Sequence, residues 1–140
     1  MKQRNTERFI LIIPASGRFL PLVRQAMLAL VHEADVGHEK VFELQLAVME
    51  ACNLVAHAHT DKDAVKAISI SALLEGDKAH VTIDDGAGSR TGREARRKIG
   101  RRQLPLEGTL AYKTTKRLCD AVVLSSGITG GLRIELTKQF

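Results

Sequence analysis

The feature that most constrains this chain is a long amphipathic segment from about Glu39 to Ala58 with a single apolar stripe. Leu44, Ala47, Val48, Ala51, Leu54, Val55 and Ala58 recur at helical spacing. Alanines make that stripe narrow, so the helix can lie close against whatever covers it. The same segment carries Glu50, Asn53 and His57 three and then four residues apart, which gathers a carboxylate, a carboxamide and an imidazole on one side of the helix. A helix of this kind needs a partner layer for its stripe and polar partners for its other face.

The rest of the chain supplies the partner layer. Residues 8–14 are rich in Ile and Leu and read as an opening strand. Phe19, Leu20, Val23, Met27, Leu30 and Val31 give a first helix that ends before Gly37. Residues 66–74 and 79–84 read as two strands joined by hairpin chemistry at Glu75-Gly76-Asp77-Lys78. After Asp84-Asp85-Gly86-Ala87-Gly88 the apolar pattern stops for about twenty residues, a length that marks a functional loop in a compact domain. A third helix runs from Leu110 to Leu118, and Val122–Ser125 and Leu132–Thr137 close the chain as strands around Ser126-Gly127. The order predicts an α/β chain of the α+β two-layer type, a mixed, mainly antiparallel sheet with helices on one face. Neither repeat nor linker interrupts it, so residues 1–140 are expected to form one domain.

Charge is informative once it is located. The formal net charge is +5, and residues 88–107 account for all of it, with seven basic side chains against Glu94 and Glu107. Apolar residues make up 44% and charged ones 26%, a balance that excludes disordered and membrane-spanning classes. Cys52 and Cys119 lie far apart in apolar surroundings with no CxxC, which points to buried thiols and not to a disulfide frame or zinc site. Phe9 to Ile13 is too short, and too soon broken by Pro14 and Arg18, for a signal peptide, so the cytoplasm is the expected compartment.

Three groups of residues carry candidate chemistry. On the second helix, Glu50 suits a general base toward a hydroxyl, and the Asn53 amide oxygen is a hard ligand suited to Mg2+. The alternative is a solvated polar edge with a capping histidine near the helix end. Zinc at His57 and His59 is disfavoured because residues two apart on a helix diverge. Asp84, at a strand end followed by Gly86 and Gly88, can accept from an exocyclic amine while the glycines admit a close ligand; a plain Asp-Gly turn would look the same. The basic segment, followed by Gly108, Thr109 and Leu110 at a helix start, suits phosphate binding. A solvated loop or a nucleic-acid contact are the other readings, the latter weakened because the loop has no aromatic residue for base stacking.

The order of these motifs resembles the GHKL (Bergerat) ATP-binding fold, and more narrowly the RsbW-like anti-sigma-factor serine kinases. The likeness runs nearly end to end. It takes in the opening strand, Leu22-Val23-Arg24, Leu46-Ala-Val-Met-Glu-Ala51, Asn53 with His57-Ala58, Ile83-Asp-Asp-Gly-Ala-Gly88, Lys116-Arg-Leu-Cys-Asp120 and Gly130-Gly131-Leu132-Arg-Ile134. The resemblance implies ATP and Mg2+ as cofactors. Glu50 would be the catalytic base, Asn53 the metal ligand, and His57 would lie near the nucleotide. Asp84 would bind the adenine amine, with Gly86 and Gly88 shaping the pocket wall. Residues 89–107 would form the ATP lid, and Gly108, Thr109 and Leu110 would meet the phosphates. The partners implied are a sigma factor, an anti-anti-sigma (STAS-type) protein carrying the target serine, and a second copy of the chain; no membrane is expected, and nucleic acid bound through the basic lid stays the least favoured reading.

Three positions depart from the family pattern. The family spaces its Glu and Asn four apart, whereas Glu50 and Asn53 are three apart, a rotation of about 100° on a helix. Either a bulge restores both positions or one role is lost. The second glycine box is displaced, leaving Thr109 and Ala111 where GxG leads the helix in the family. Leu132 stands where a threonine near adenine is common. Besides the kinase, these departures allow a non-catalytic module that keeps the fold and the partner surface.

Overall fold

A computed structural model describes residues 6–32, 34–57, 67–86, 109–127 and 131–140. The chain opens with strand β1 (Thr6–Pro14), a single 3-10 turn at Gly17–Phe19 and helix α1 (Leu20–Val31). Helix α2 (His38–His57) follows, then the hairpin of β2 (Ala67–Glu75) and β3 (Lys78–Asp84). Helix α3 (Leu110–Leu118) and the strands β4 (Ala121–Ser126) and β5 (Leu132–Gln139) complete it. The five strands form one sheet in the order β1-β2-β3-β5-β4. Every pairing in it is antiparallel, so the mixed component expected from sequence is absent among the described residues.

Strand alternation explains how the two layers meet. Ile68, Ile70, Ala72 and Leu74 on β2, Ala79, Val81 and Ile83 on β3, and Leu132, Ile134 and Leu136 on β5 are buried. They share one face, and the helices pack on it. α2 is the middle helix, flanked by α1 and α3 and lying over β2, β3 and β5. Of the predicted stripe, Leu44, Ala47, Val48, Ala51, Leu54 and Val55 are buried, Ala58 lies outside the described residues, and Cys52 joins the buried face. Ala47 and Ala51 are fully inaccessible, as suits a helix packed between two helices and a sheet. α1 adds Val23, Met27, Leu30 and Val31 to the same core.

The opposite face of the sheet is mostly polar, with Ser69, Ser71, His80, Thr82, Arg133, Glu135 and Thr137 in register across the strands. The β2–β3 turn places Gly76 at φ +64° as the first central residue, the requirement of a type II′ hairpin. β1 is an outer strand, and it exposes Ile10 and Ile12 at 65% and 55%. Among the described residues, no helix is long and apolar enough to cross a membrane.

Candidate functional site

α2 is α-helical without interruption from His38 to His57, so no bulge brings Glu50 and Asn53 to a four-residue separation. The residue four before Asn53 is Met49, and Glu50 sits about 100° around the helix from it. Glu50 and Met49 are half-buried, while Asn53 and His57 are exposed. The His57 ring is hydrogen-bonded through Nδ1 to the Asn53 carbonyl at 2.8 Å. That contact fixes the ring against the last turn of its own helix, the capping geometry weighed for it above.

α3 begins as a capped helix. Thr109 is its N-cap, and its Oγ1 accepts from the Tyr112 N–H at 3.2 Å. The Thr109 hydroxyl is therefore committed to the helix start, where the family pattern has glycine. Leu110 is 81% exposed at the first helical position. Thr115, fully buried, donates to the Ala111 carbonyl at 2.8 Å and so removes a polar group from the α2 interface. Gly88, Gly108 and the basic loop at 89–107 lie outside the described residues.

A buried lysine ties β5 to α2 and to the end of α3. Lys138, on β5, is 4% exposed, and its Nζ donates to Glu43 Oε2 and to the Leu118 carbonyl, each at 2.5 Å. The C-terminal end of α3 thus lies beside the first half of α2. The two helices pack against each other, with the Leu118 end of α3 joined through Lys138 to Glu43 on α2. The hydrogen bond from Lys138, aided by its charge and that of Lys40, holds the Glu43 carboxyl below its ordinary value.

At the end of β3 the two adjacent aspartates do different things. Asp84 lies in register with Ser69 and Arg133, on the face away from the buried Ile83 and Ile134. Its Oδ2 is 3.8 Å from Arg133 Nη1, and its Oδ1 accepts from the Gly86 N–H at 3.2 Å. Arg133 also reaches Glu135 at 3.3 Å. Asp85 is 1% exposed, and its Oδ2 accepts from the Gly131 N–H at 2.7 Å, across the sheet end to the β4–β5 connection. Sequence reasoning assigned a role to Asp84 and none to Asp85. No local pattern distinguishes two neighbouring aspartates, and only the strand's phase separates them. On the helix-facing side Ser126 Oγ, and on the opposite face Arg133 Nε, are buried without a hydrogen-bond partner among the described residues. Buried polar atoms of that kind call for water or a polar ligand at this end of the sheet.

The polar groups described are thus the Glu50–His57 half of α2, the capped start of α3, and the β3 exit, which meets Gly127 and Gly131. Between residues 13 and 138 the chain matches the histidine kinase-like ATPase domain family. It belongs to that family. Among characterised relatives, it is 28% identical over 119 residues to the anti-sigma F factor of Anoxybacillus flavithermus, covering 83% of this chain and 81% of the relative. Among solved structures, it superimposes on one comprising the RsbU and RsbW domains of a Mycobacterium tuberculosis protein with a TM-score of 0.66 at 16% identity. That match covers 95% of this chain and 32% of the other, a likeness of fold.

Proposed function

We propose that this chain is an ATP-binding anti-sigma-type regulator that works by partner switching. Its partners would be a sigma factor and a STAS-type anti-anti-sigma protein, together with a second copy of itself. The observation that carries the reading is the likeness to an anti-sigma F factor over most of both chains. The residues present fit a nucleotide. Arg133, whose Nε is buried without a hydrogen-bond partner among the described residues, stands beside Asp84 and suits the hydrogen-bonding edge of a base. The start of α3 offers helix N–H groups to phosphate, with Leu110 outermost and the basic segment, Gly88 and Gly108 as further contributors. Asn53, exposed on α2, has the hard amide oxygen that Mg2+ takes alongside phosphate and water. When bound, Mg2+ supplies charge neutralisation to the phosphates.

In the kinase form of this reading, a serine hydroxyl of the anti-anti-sigma protein is oriented near Glu50. The Glu50 carboxylate accepts the hydroxyl proton as the oxygen takes up the terminal phosphoryl group of ATP, and ADP leaves. A second reading is favoured by one specific observation, the uninterrupted α2 helix that leaves Glu50 out of phase with Asn53. In that form the chain binds nucleotide and partners but transfers no phosphate.

A thermal-shift titration with ADP plus Mg2+, followed by transfer from labelled ATP to the anti-anti-sigma protein, tests both. Nucleotide-dependent stabilisation with transfer that Glu50→Ala abolishes supports the kinase. Stabilisation without transfer supports the non-catalytic form, and no stabilisation overturns nucleotide binding altogether.

A further inference from the structure

The β4–β5 connection is held at its base by a buried carboxylate that belongs to neither strand. Gly127 N–H donates to the Gly131 carbonyl at 3.3 Å, closing the hairpin. Gly131 N–H then donates to Asp85 Oδ2 at 2.7 Å. A side chain at Gly127 has no room, because a Cβ there would collide with the Cγ and both oxygens of Asp85. Both ends of the connection are thus fitted around one carboxylate 46 residues earlier in the chain.

The sheet does not need this contact for its pairing. β3 and β5 are already laddered from Lys78↔Gln139 to Asp84↔Arg133, and β4 and β5 from Ala121↔Thr137 to Ser126↔Leu132. The Asp85 bond lies beyond the last pair of both ladders. It fixes the backbone of a connection to the point where β3 turns into Gly86. A buried carboxylate is also a costly way to gain stability alone, since its desolvation offsets much of what the bond returns.

We propose that Asp85 is a positioning residue for the base side of the nucleotide pocket. It latches Gly127 and Gly131 onto the β3 exit and so fixes Asp84, Gly86 and Leu132 relative to one another. The proposal rests on the nucleotide-binding reading above. Asp84 meets Arg133 and the Gly86 N–H, while Asp85 meets Gly131 and packs against Gly127.

The test pairs two measurements on the full chain, hydrogen exchange at the Gly131 amide without nucleotide and ADP titration with Mg2+. Asp85→Ala is expected to speed Gly131 exchange at least tenfold and to weaken ADP binding about ten- to a hundredfold, the scale of a hydrogen bond to a charged group. Asp85→Asn, which keeps an oxygen acceptor, should recover much of both. Gly127→Ala should reproduce the loss by pushing the carboxylate aside, and it keeps the test open should Asp85→Ala fail to fold. Unchanged Gly131 exchange in Asp85→Ala overturns the latch. Faster exchange with unaltered ADP affinity overturns the positioning role. If the wild-type protein binds no ADP, the pocket reading falls together with that role, while the exchange data separately decide whether the latch exists.

Discussion

Replacing Lys138 with Met tests whether the α2–α3–β5 junction is held by charge. The substitution keeps the apolar stem and removes an ammonium that donates to Glu43 and to the last-turn carbonyl of α3 at Leu118. A hydrogen bond to a charged group contributes about 1.5–3 kcal/mol, and releasing a buried lysine from its desolvation cost returns part of that. Glu43 keeps 26% of its side-chain surface and regains water when the lysine is gone, so no buried charge is stranded. The net loss expected for Lys138→Met is about 1–2 kcal/mol near neutral pH, or roughly 3–8 °C in Tm for a chain of this size. Urea unfolding of both proteins across a pH series measures it. Glu43 has a folded-state pKa below its ordinary 4.5, so its contribution is present above that value and is lost as pH falls through the lowered one. Wild type should therefore lose the Glu43 part of this stabilisation as pH falls below 4.5 and through the lowered value, and Lys138→Met should not. Equal midpoints at neutral pH together with parallel acid profiles would refute the account.

Two further outcomes follow from burial. Desolvation pushes the Cys52 thiol up to about 12 and Cys119 to about 11, so both should alkylate far more slowly than a free thiol at pH 8 until denaturant is added. Mass spectrometry after timed iodoacetamide treatment checks this, and rapid native-state labelling of Cys52 would contradict its placement in the core. Dimerisation in the proposed regulator would use strand β1, the outermost of the sheet among the described residues, whose Ile10 and Ile12 are exposed. Light scattering should then show a dimer that Ile10→Lys/Ile12→Lys reduces to a monomer, whereas a dimer indifferent to both changes would exclude that edge.

Much of the architecture was legible because periodicity reports burial directly. The α3 boundaries at Leu110 and Leu118, the turn at Gly76 and the α2 stripe all emerge from residue spacing alone. Features that depend on contact across the chain were not legible. Lys138 occupies a buried phase of β5, where a charged residue breaks the alternation that a strand reading relies on. Only the approach of Glu43, 95 residues earlier, and of Leu118 makes that burial tolerable. Asp85 was hidden for a related reason, because its partners Gly127 and Gly131 have no side chains with which to signal a contact. The antiparallel character of every pairing likewise follows from strand order, which spacing within a strand does not encode.

The phase of α2 was legible in sequence, but its consequence needed the structure. A three-residue interval between Glu50 and Asn53 left open a local bulge that would restore the family geometry. The helix is regular throughout, so Met49 holds the position four before Asn53 and Glu50 is turned about 100° from it. If catalysis requires a carboxylate in the Met49 phase, Met49→Glu should raise phosphate transfer from ATP to the anti-anti-sigma protein at least tenfold, and Glu50→Ala should change little. Met49 is half-buried, so a carboxylate there can reach water and the helix should tolerate it with a small stability loss. A Glu50→Ala variant that loses transfer, beside a Met49→Glu variant that gains none, would show that Glu50 works from its own phase. The pocket would then be built around a rotated base, and the regular helix would not argue against catalysis.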